Sequence, residues 1–183
     1  MSSRKQELLD AALAYLLKHG VANASLRPLA EALGTSPRML IFHFKSKEGL
    51  LRDVFQALNG RILASYAAVA SGTLGPPEVQ PLRRFWLWAT EAENAPYLRL
   101  FYEVQVVAAQ NPAEYGRYLK DASADWQAAA FQTLSAAIRS ESLATLCIAV
   151  FDGLFLEFML IGERDRLTEA LDRFIAMARS ARA

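Results

Sequence analysis

The chain has 183 residues, of which 53% are hydrophobic and 21% charged, with a formal net charge of +1. That composition carries a sizeable core and excludes a disordered chain, while a single cysteine, Cys147, excludes an internal disulfide and a cysteine-based metal cluster. The near-neutral total hides an asymmetry: residues 1–57 hold eight Lys/Arg against five Asp/Glu, and the remaining 126 hold twelve against fourteen, which suits an N-terminal unit that meets phosphates and a body that does not.

The first residues, MSSRKQELLDAAL, lack the apolar core and cleavage site of a signal peptide, so a soluble cytoplasmic protein is expected. From Arg4 to His19, Leu8, Leu9, Ala12, Leu13, Leu16 and Leu17 recur at helical spacing, and Gly20 stops the run. Ser25 caps the next helix, with Pro28 in its first turn and Leu26, Leu29, Ala30 and Leu33 facing inward. Gly34 ends it and permits a sharp turn. Ser36 caps a third helix with Pro37 at its first position; Leu40 and Phe44 are its inward anchors, leaving Arg38, Met39, Phe42 and His43 on the outer and flanking faces. Ser46 and Glu48 start a fourth helix that runs to about residue 69. Two short helices around the turn at Gly34-Thr35-Ser36 form a helix-turn-helix, whose second helix fits the major groove of DNA.

Residues 71–81, SGTLGPPEVQP, break the pattern with two glycines and three prolines. Helices follow over about 82–93, 96–109, 112–139, 143–161 and 164–179, with Gly162 closing the penultimate one. No segment reads as a strand. The most apolar run, 143–161, contains Asp152 and Glu157; a charge near a bilayer centre is costly, so a buried helix is expected rather than a membrane span. Asp152 is expected to be buried and paired. The fold class is all-α, about nine helices in total, with a DNA-binding unit over 1–48 and a larger helical regulatory and dimerisation unit over 49–183.

The stretch SLRPLAEALGTSPRMLIFHFKSKEGLL, residues 25–51, resembles the DNA-binding domain of the TetR family of bacterial transcriptional regulators. The resemblance covers roughly residues 4–55, and its most specific part is His43-Phe44 followed by Ser46-Lys47-Glu48 and Leu50-Leu51. It implies a homodimer that binds a pseudo-palindromic double-stranded operator, usually represses, and is released by a small molecule entering the C-terminal domain. It also implies roles by position. Ser25 and Arg27 start the helix that flanks the groove. Thr35, Ser36, Arg38, Met39 and Phe42 lie on or before the recognition helix. Lys47 stands where many members place a phosphate-contacting lysine. Two positions depart from the pattern: Ile41 replaces a tyrosine that reaches phosphate in many members, and Arg38 replaces a small residue. Arg38 can supply a bidentate contact to guanine or clamp a phosphate.

Each residue has a plainer reading beside the sharp one. Arg38 and Lys47 can be solvated charges, Ser36 only a cap, and His43 a packed hinge rather than a DNA contact. Phe42 suits either a thymine methyl or partial core packing. In the body, Phe85, Trp88, Phe101, Tyr102 and Trp126 either fill core or line a largely apolar effector pocket, with Glu103 as its polar group. The last two helices carry more apolar surface than one small body covers, which points to a two-fold homodimer interface. An enzyme is disfavoured: His19 and His43 are the only histidines, both outside the body, and no metal-ligand spacing or phosphate-binding glycine loop occurs. No cofactor is expected. The alternative function is a helical small-molecule-binding or scaffold protein that has lost specific DNA binding.

Overall fold

Capping chemistry and glycine placement set where most of the helices begin and end. A computed structural model describes residues 3–22 and 24–180, and the described residues form nine α-helices and no strand. These are α1 (Ser3–His19), α2 (Leu26–Ala32), α3 (Pro37–Phe44), α4 (Lys47–Ala70), α5 (Pro81–Ala89), α6 (Ala95–Gln110), α7 (Pro112–Thr133), α8 (Glu141–Ile161) and α9 (Arg164–Ser180). Ser36 accepts the Met39 N–H at 3.3 Å, Ser46 accepts the Gly49 N–H at 2.9 Å, and Ser140 accepts the Leu143 N–H at 3.2 Å. Each hydroxyl satisfies one of the donors a helix leaves open at its start. At the other end of α8, Gly162 takes the left-handed conformation, φ +77°, and bonds back to Phe158 O.

Three expectations need correction at this level. Ser25 is the N-cap of α2 by position, but its hydroxyl makes no cap bond. α5 ends at Ala89 rather than near residue 93, because the Thr90 hydroxyl binds Trp86 O and the Asn94 amide binds Trp88 O. α7 ends at Thr133 rather than near residue 139, because Arg139 folds back to donate to Leu134 O at 3.0 and 3.1 Å. At the ends of α5 and α7, side chains take the terminal carbonyls that a further helical turn would have used.

The chain divides into two compact units. The first comprises residues 1–62 and 96–122. Its core collects Leu8, Leu13 and Leu16 of α1, Leu29 of α2, Leu40 and Phe44 of α3, and Leu50, Val54, Phe55 and Leu58 of α4, all buried. The Phe55 ring lies 5.2 Å from Tyr115 and 5.7 Å from Tyr118. Burial pushes the Tyr118 phenol up to about 12, and its oxygen has no partner. Lys5 pairs with Asp53 at 2.6 Å, tying α1 to α4, and its ammonium sits 5.1 Å over the Phe44 ring.

The second unit comprises residues 63–95 and 123–183. α9 packs on both α5 and α8. Trp86, fully buried, stacks on Phe155 at 5.2 Å and donates its indole N–H to Thr168 at 2.7 Å. Arg164 donates to the Thr90 hydroxyl and to Leu87 O, so the start of α9 closes the end of α5. The buried Arg84 guanidinium donates to the carbonyls of Val69, Pro77 and Val79 and holds the connection between α4 and α5.

α8 differs from the buried helix expected. It is long and apolar enough to cross a membrane by length and composition, yet only one side of it is covered. Ala144, Cys147, Phe151 and Phe155 face inward, whereas Leu146, Leu156, Leu160 and Ile161 are exposed. Asp152, expected to be buried, lies on the exposed side with Gly153. The helical repeat explains the split, since positions 144, 147, 151 and 155 share one face and Asp152 falls off it.

Candidate nucleic-acid interface

α3 has eight residues and two buried anchors, Leu40 and Phe44, four apart on one face. At about 100° per residue, Phe42 points away from the mean direction of those anchors. Accordingly it is 66% exposed, the most exposed large apolar residue of this unit. Arg38, one turn earlier, and Met39 flank it and are exposed too. Ile41 lies at the edge of the same face, 37% exposed. The packing alternative for Phe42 therefore fails in the folded chain; its ring contacts His43 edge-on at 5.1 Å and otherwise faces outward.

The other residues singled out in the sequence fall around this helix. Arg27 is exposed in the first turn of α2, and Ser25 is exposed just before it. Thr35 is half-buried in the turn, where its N–H bonds Ala30 O at 2.9 Å. Ser36 is exposed and caps α3 as described. His43 is half-buried between Phe42 and Phe44, with Nε2 buried and unbonded. Lys47 is half-buried at the first position of α4. From residue 32 to residue 47 the chain has Arg38, Lys45 and Lys47 and no carboxylate. The formal charges within this stretch are therefore all positive, as contact with a polyanion favours.

Two residues that set this geometry escaped the sequence reading. Lys45 adopts φ +74°, among the described residues the one non-glycine with positive φ, and its N–H binds Ile41 O at 2.7 Å. It turns the chain between α3 and α4 and leaves a third cation exposed beside them. Gly49 is buried in the first turn of α4, and any Cβ there would collide with the Phe44 carbonyl oxygen. The end of α3 is thus seated on a bare Cα. The signal was present in the run Ser46-Lys47-Glu48-Gly49, where a glycine inside a capped helix start costs about 1 kcal/mol unless it admits a close approach.

The residues expected to line an effector pocket are divided between the two units. Phe101, Tyr102 and Glu103 belong to the first unit; Phe85, Trp88 and Trp126 belong to the second. Glu103 is committed elsewhere: its carboxylate accepts the Val21 N–H at 2.9 Å and lies against Gly20, so it braces the connection after α1. Phe85 is a core ring, 4.8 Å from Tyr66, 5.7 Å from Phe151 and 5.9 Å from Phe155. The second unit does carry a cavity of about 390 Å³, lined in part by Leu63, Tyr66, Ala67 and Ala70 of α4 and by Gln132 and Thr133 of α7. None of the six expected residues lines it. Tyr66 donates to Thr133 at 2.6 Å in its wall, and burial pushes that phenol up to about 12. Trp126 stands behind Tyr66, ring to ring at 5.7 Å. Cys147 is buried and its thiol is pushed up by burial, as in an inert structural cysteine.

Residues 8–54 match the family model described as bacterial regulatory proteins, tetR family. Over 179 residues, 94% of this chain and 92% of the relative, the sequence is 22% identical to the nicotine-responsive transcriptional repressor HdnoR of Paenarthrobacter nicotinovorans. A transcriptional regulator from Rhodococcus sp. Rha1 has a similar solved structure, with a TM-score of 0.79, 20% identity, and coverage of 99% of this chain and 97% of that one. The multidrug binding protein EbrR complexed with ethidium is also similar, with a TM-score of 0.70, 23% identity, and coverage of 94% and 98%. Residues 8–54 thus carry the pattern of the tetR-family regulatory proteins' N-terminal domain, and the whole chain shares its all-helical fold with solved transcriptional regulators.

Proposed function

We propose that this protein is a cytoplasmic transcriptional repressor that binds a pseudo-palindromic operator as a homodimer and leaves it when a small, largely apolar molecule binds its helical body. The observation that carries the reading is the face of α3: Arg38, Met39 and Phe42 exposed opposite two buried anchors, on an acid-free segment ending in Lys45 and Lys47. Residues 1–48 act as the DNA-binding part and residues 49–183 as the regulatory and dimerisation part. Arg38, Met39 and Phe42 meet base edges, with His43 holding the end of the helix. Ser25, Arg27, Thr35, Ser36 and Lys47 meet the backbone, since phosphate contacts position the protein and base contacts specify the site.

Dimerisation uses α8 and α9, where Leu146, Leu156, Leu160, Ile161 and Met177 are exposed. A two-fold interface apposes the same patch from both subunits, so one continuous apolar face suffices for both sides. Half-sites then lie one helical turn of DNA apart, roughly 34 Å, or a multiple of it. The effector enters the second unit at the cavity beside Tyr66 and Thr133, with Trp126, Phe85 and Trp88 packed behind as an aromatic backing. HdnoR is described as nicotine-responsive and EbrR was solved complexed with ethidium; nicotine and ethidium each contain an aromatic ring, which fits an aromatic-backed cavity. Release requires that the molecule prefer the conformer that fits the operator less well.

Selection of duplexes from random DNA tests the reading. A repressor enriches one two-fold-related sequence, and its affinity for that sequence falls steeply with salt. On the selected duplex, Arg38→Ala weakens binding by about 1–3 kcal/mol and relaxes the preference at one base pair, whereas Lys47→Ala weakens all sequences alike and lowers the salt slope by about one. A chain that enriches no duplex over background is instead the scaffold or small-molecule-binding alternative.

A further inference from the structure

An exposed phenylalanine is ordinary when it stands alone, but α3 exposes three large apolar side chains within four residues. Met39 is 42%, Ile41 37% and Phe42 66% exposed, on a helix with only two buried side chains to hold it. The same face carries one charge, Arg38, and among residues 37–44 no hydroxyl or amide side chain able to read a base by hydrogen bonding. Hydrogen-bond readers of adenine are asparagine and glutamine, and of guanine arginine or lysine. Beside the half-buried His43, this helix thus has one exposed hydrogen-bonding head, Arg38, and an apolar head made of Phe42 and Met39. The apolar feature that a major groove presents is the 5-methyl group of thymine.

We propose that α3 reads its operator chiefly through pyrimidine 5-methyl groups, with Phe42 as the specificity-determining residue and Met39 beside it. This rests on the reading of α3 as a major-groove helix. The occupant of the apolar face is duplex DNA rather than an apolar protein partner, because Arg38, Lys45 and Lys47 surround the face with no carboxylate between residues 32 and 47. The His43 ring, edge-on to Phe42, fixes the aromatic on its outer side, so the ring is held where it projects. Each half-site then contains a thymine, or a thymine step, at the position facing Phe42. Because 5-methylcytosine places the same methyl in the same groove, the protein accepts methylated cytosine there and discriminates against cytosine.

Deoxyuridine scanning of the selected operator is the test, since it removes the methyl and leaves every hydrogen-bonding group in place. Replacing the critical thymine in one half-site weakens binding about fourfold, the worth of one buried methyl, and in both half-sites about fifteenfold. Replacing that T·A pair with C·G weakens binding further, and 5-methylcytosine at the same position recovers part of the loss. In Phe42→Ala the protein binds thymine and deoxyuridine operators alike, with the oligomeric state and melting temperature of the parent, because the ring is exposed in the folded chain. If every thymine tolerates replacement by deoxyuridine, or the uridine penalty persists undiminished in both Phe42→Ala and Met39→Ala, the proposal is wrong while the regulator reading survives. If Phe42→Ala instead dissociates the oligomer, the ring serves a protein contact and the proposal is wrong. If no duplex is enriched in the selection, both readings fall together.

Discussion

α3 and α8 both leave apolar side chains in water, and they do so in opposite chemical settings. On α3, Met39, Ile41 and Phe42 stand among Arg38, Lys45 and Lys47 on eight residues of helix. On α8, Leu146, Leu156, Leu160 and Ile161 extend along 21 residues, with Asp152 the charge on that side and no lysine or arginine anywhere in the helix. A face ringed by cations suits a polyanion that also offers small apolar groups. A long apolar face with a single carboxylate and no cation suits a copy of itself rather than a polyanion, since a two-fold interface apposes the same patch from both sides. The composition around an apolar patch therefore decides what covers it, and apolarity alone does not.

The largest effect comes from erasing the α8 side of that contrast. Leu156→Glu combined with Leu160→Glu puts charge into the middle of the proposed interface, where an unpaired buried charge costs about 3–5 kcal/mol. Sedimentation should then show monomer at micromolar concentration, and operator affinity should fall by a factor of 10³ or more while a melting transition remains. A dimer that survives both substitutions places the interface elsewhere.

Gly49→Ala breaks the α3 side without touching any surface. Its Cβ meets backbone, the Phe44 carbonyl, so α3 or α4 must move. We expect a loss of about 2–3 kcal/mol in stability, abolished operator binding, and an unchanged oligomeric state. Retained full affinity would mean that the end of α3 has slack that the packing does not show.

The smallest effect separates the two units internally. Tyr66 in the second unit has its hydroxyl on Thr133, while Tyr118 in the first has none. Tyr66→Phe should cost about 1 kcal/mol and Tyr118→Phe should be neutral or slightly stabilising, because the latter removes a buried oxygen that pairs with nothing. Burial raises both phenols to about 12 in the folded chain. Their raised values favour the neutral folded form, so the associated stability is full below pH 10 and drains away as pH rises towards 12. Each phenol contributes on the order of 2 kcal/mol to that loss. A denaturant midpoint flat from pH 9 to 12 contradicts both assignments.

What could be read in advance was what local chemistry fixes. Ser36, Ser46, Gly34 and Gly162 mark helix ends because a hydroxyl or a missing Cβ acts within four residues of itself. The inward anchors of α3 followed from helical spacing in the same way. The ends of α5 and α7 did not, because Thr90, Asn94 and Arg139 set them by folding back onto carbonyls that an uninterrupted pattern would have continued through. Glu103 looked like a pocket acid from its apolar neighbours on α6; its partner, the Val21 N–H, lies 82 positions away. Ile41, the departure from the family pattern, lies at the edge of the exposed face, where it adds apolar surface and offers no hydrogen bond.

The Gly- and Pro-rich connection after α4 looks, by composition, like the place to cut the molecule open. Arg84 makes it the reverse. Its guanidinium ties Val69 at the end of α4 to Pro77 and Val79 across the turn, and its side chain lies against Gly72 and Gly75, which hold positive φ values of 81° and 80°. A protease needs several residues of such a segment to peel away into its cleft, and peeling here strands a buried cation. Insertions and tags placed at residues 72–79 will therefore be tolerated poorly, and the segment will outlast looser surface turns in a digestion.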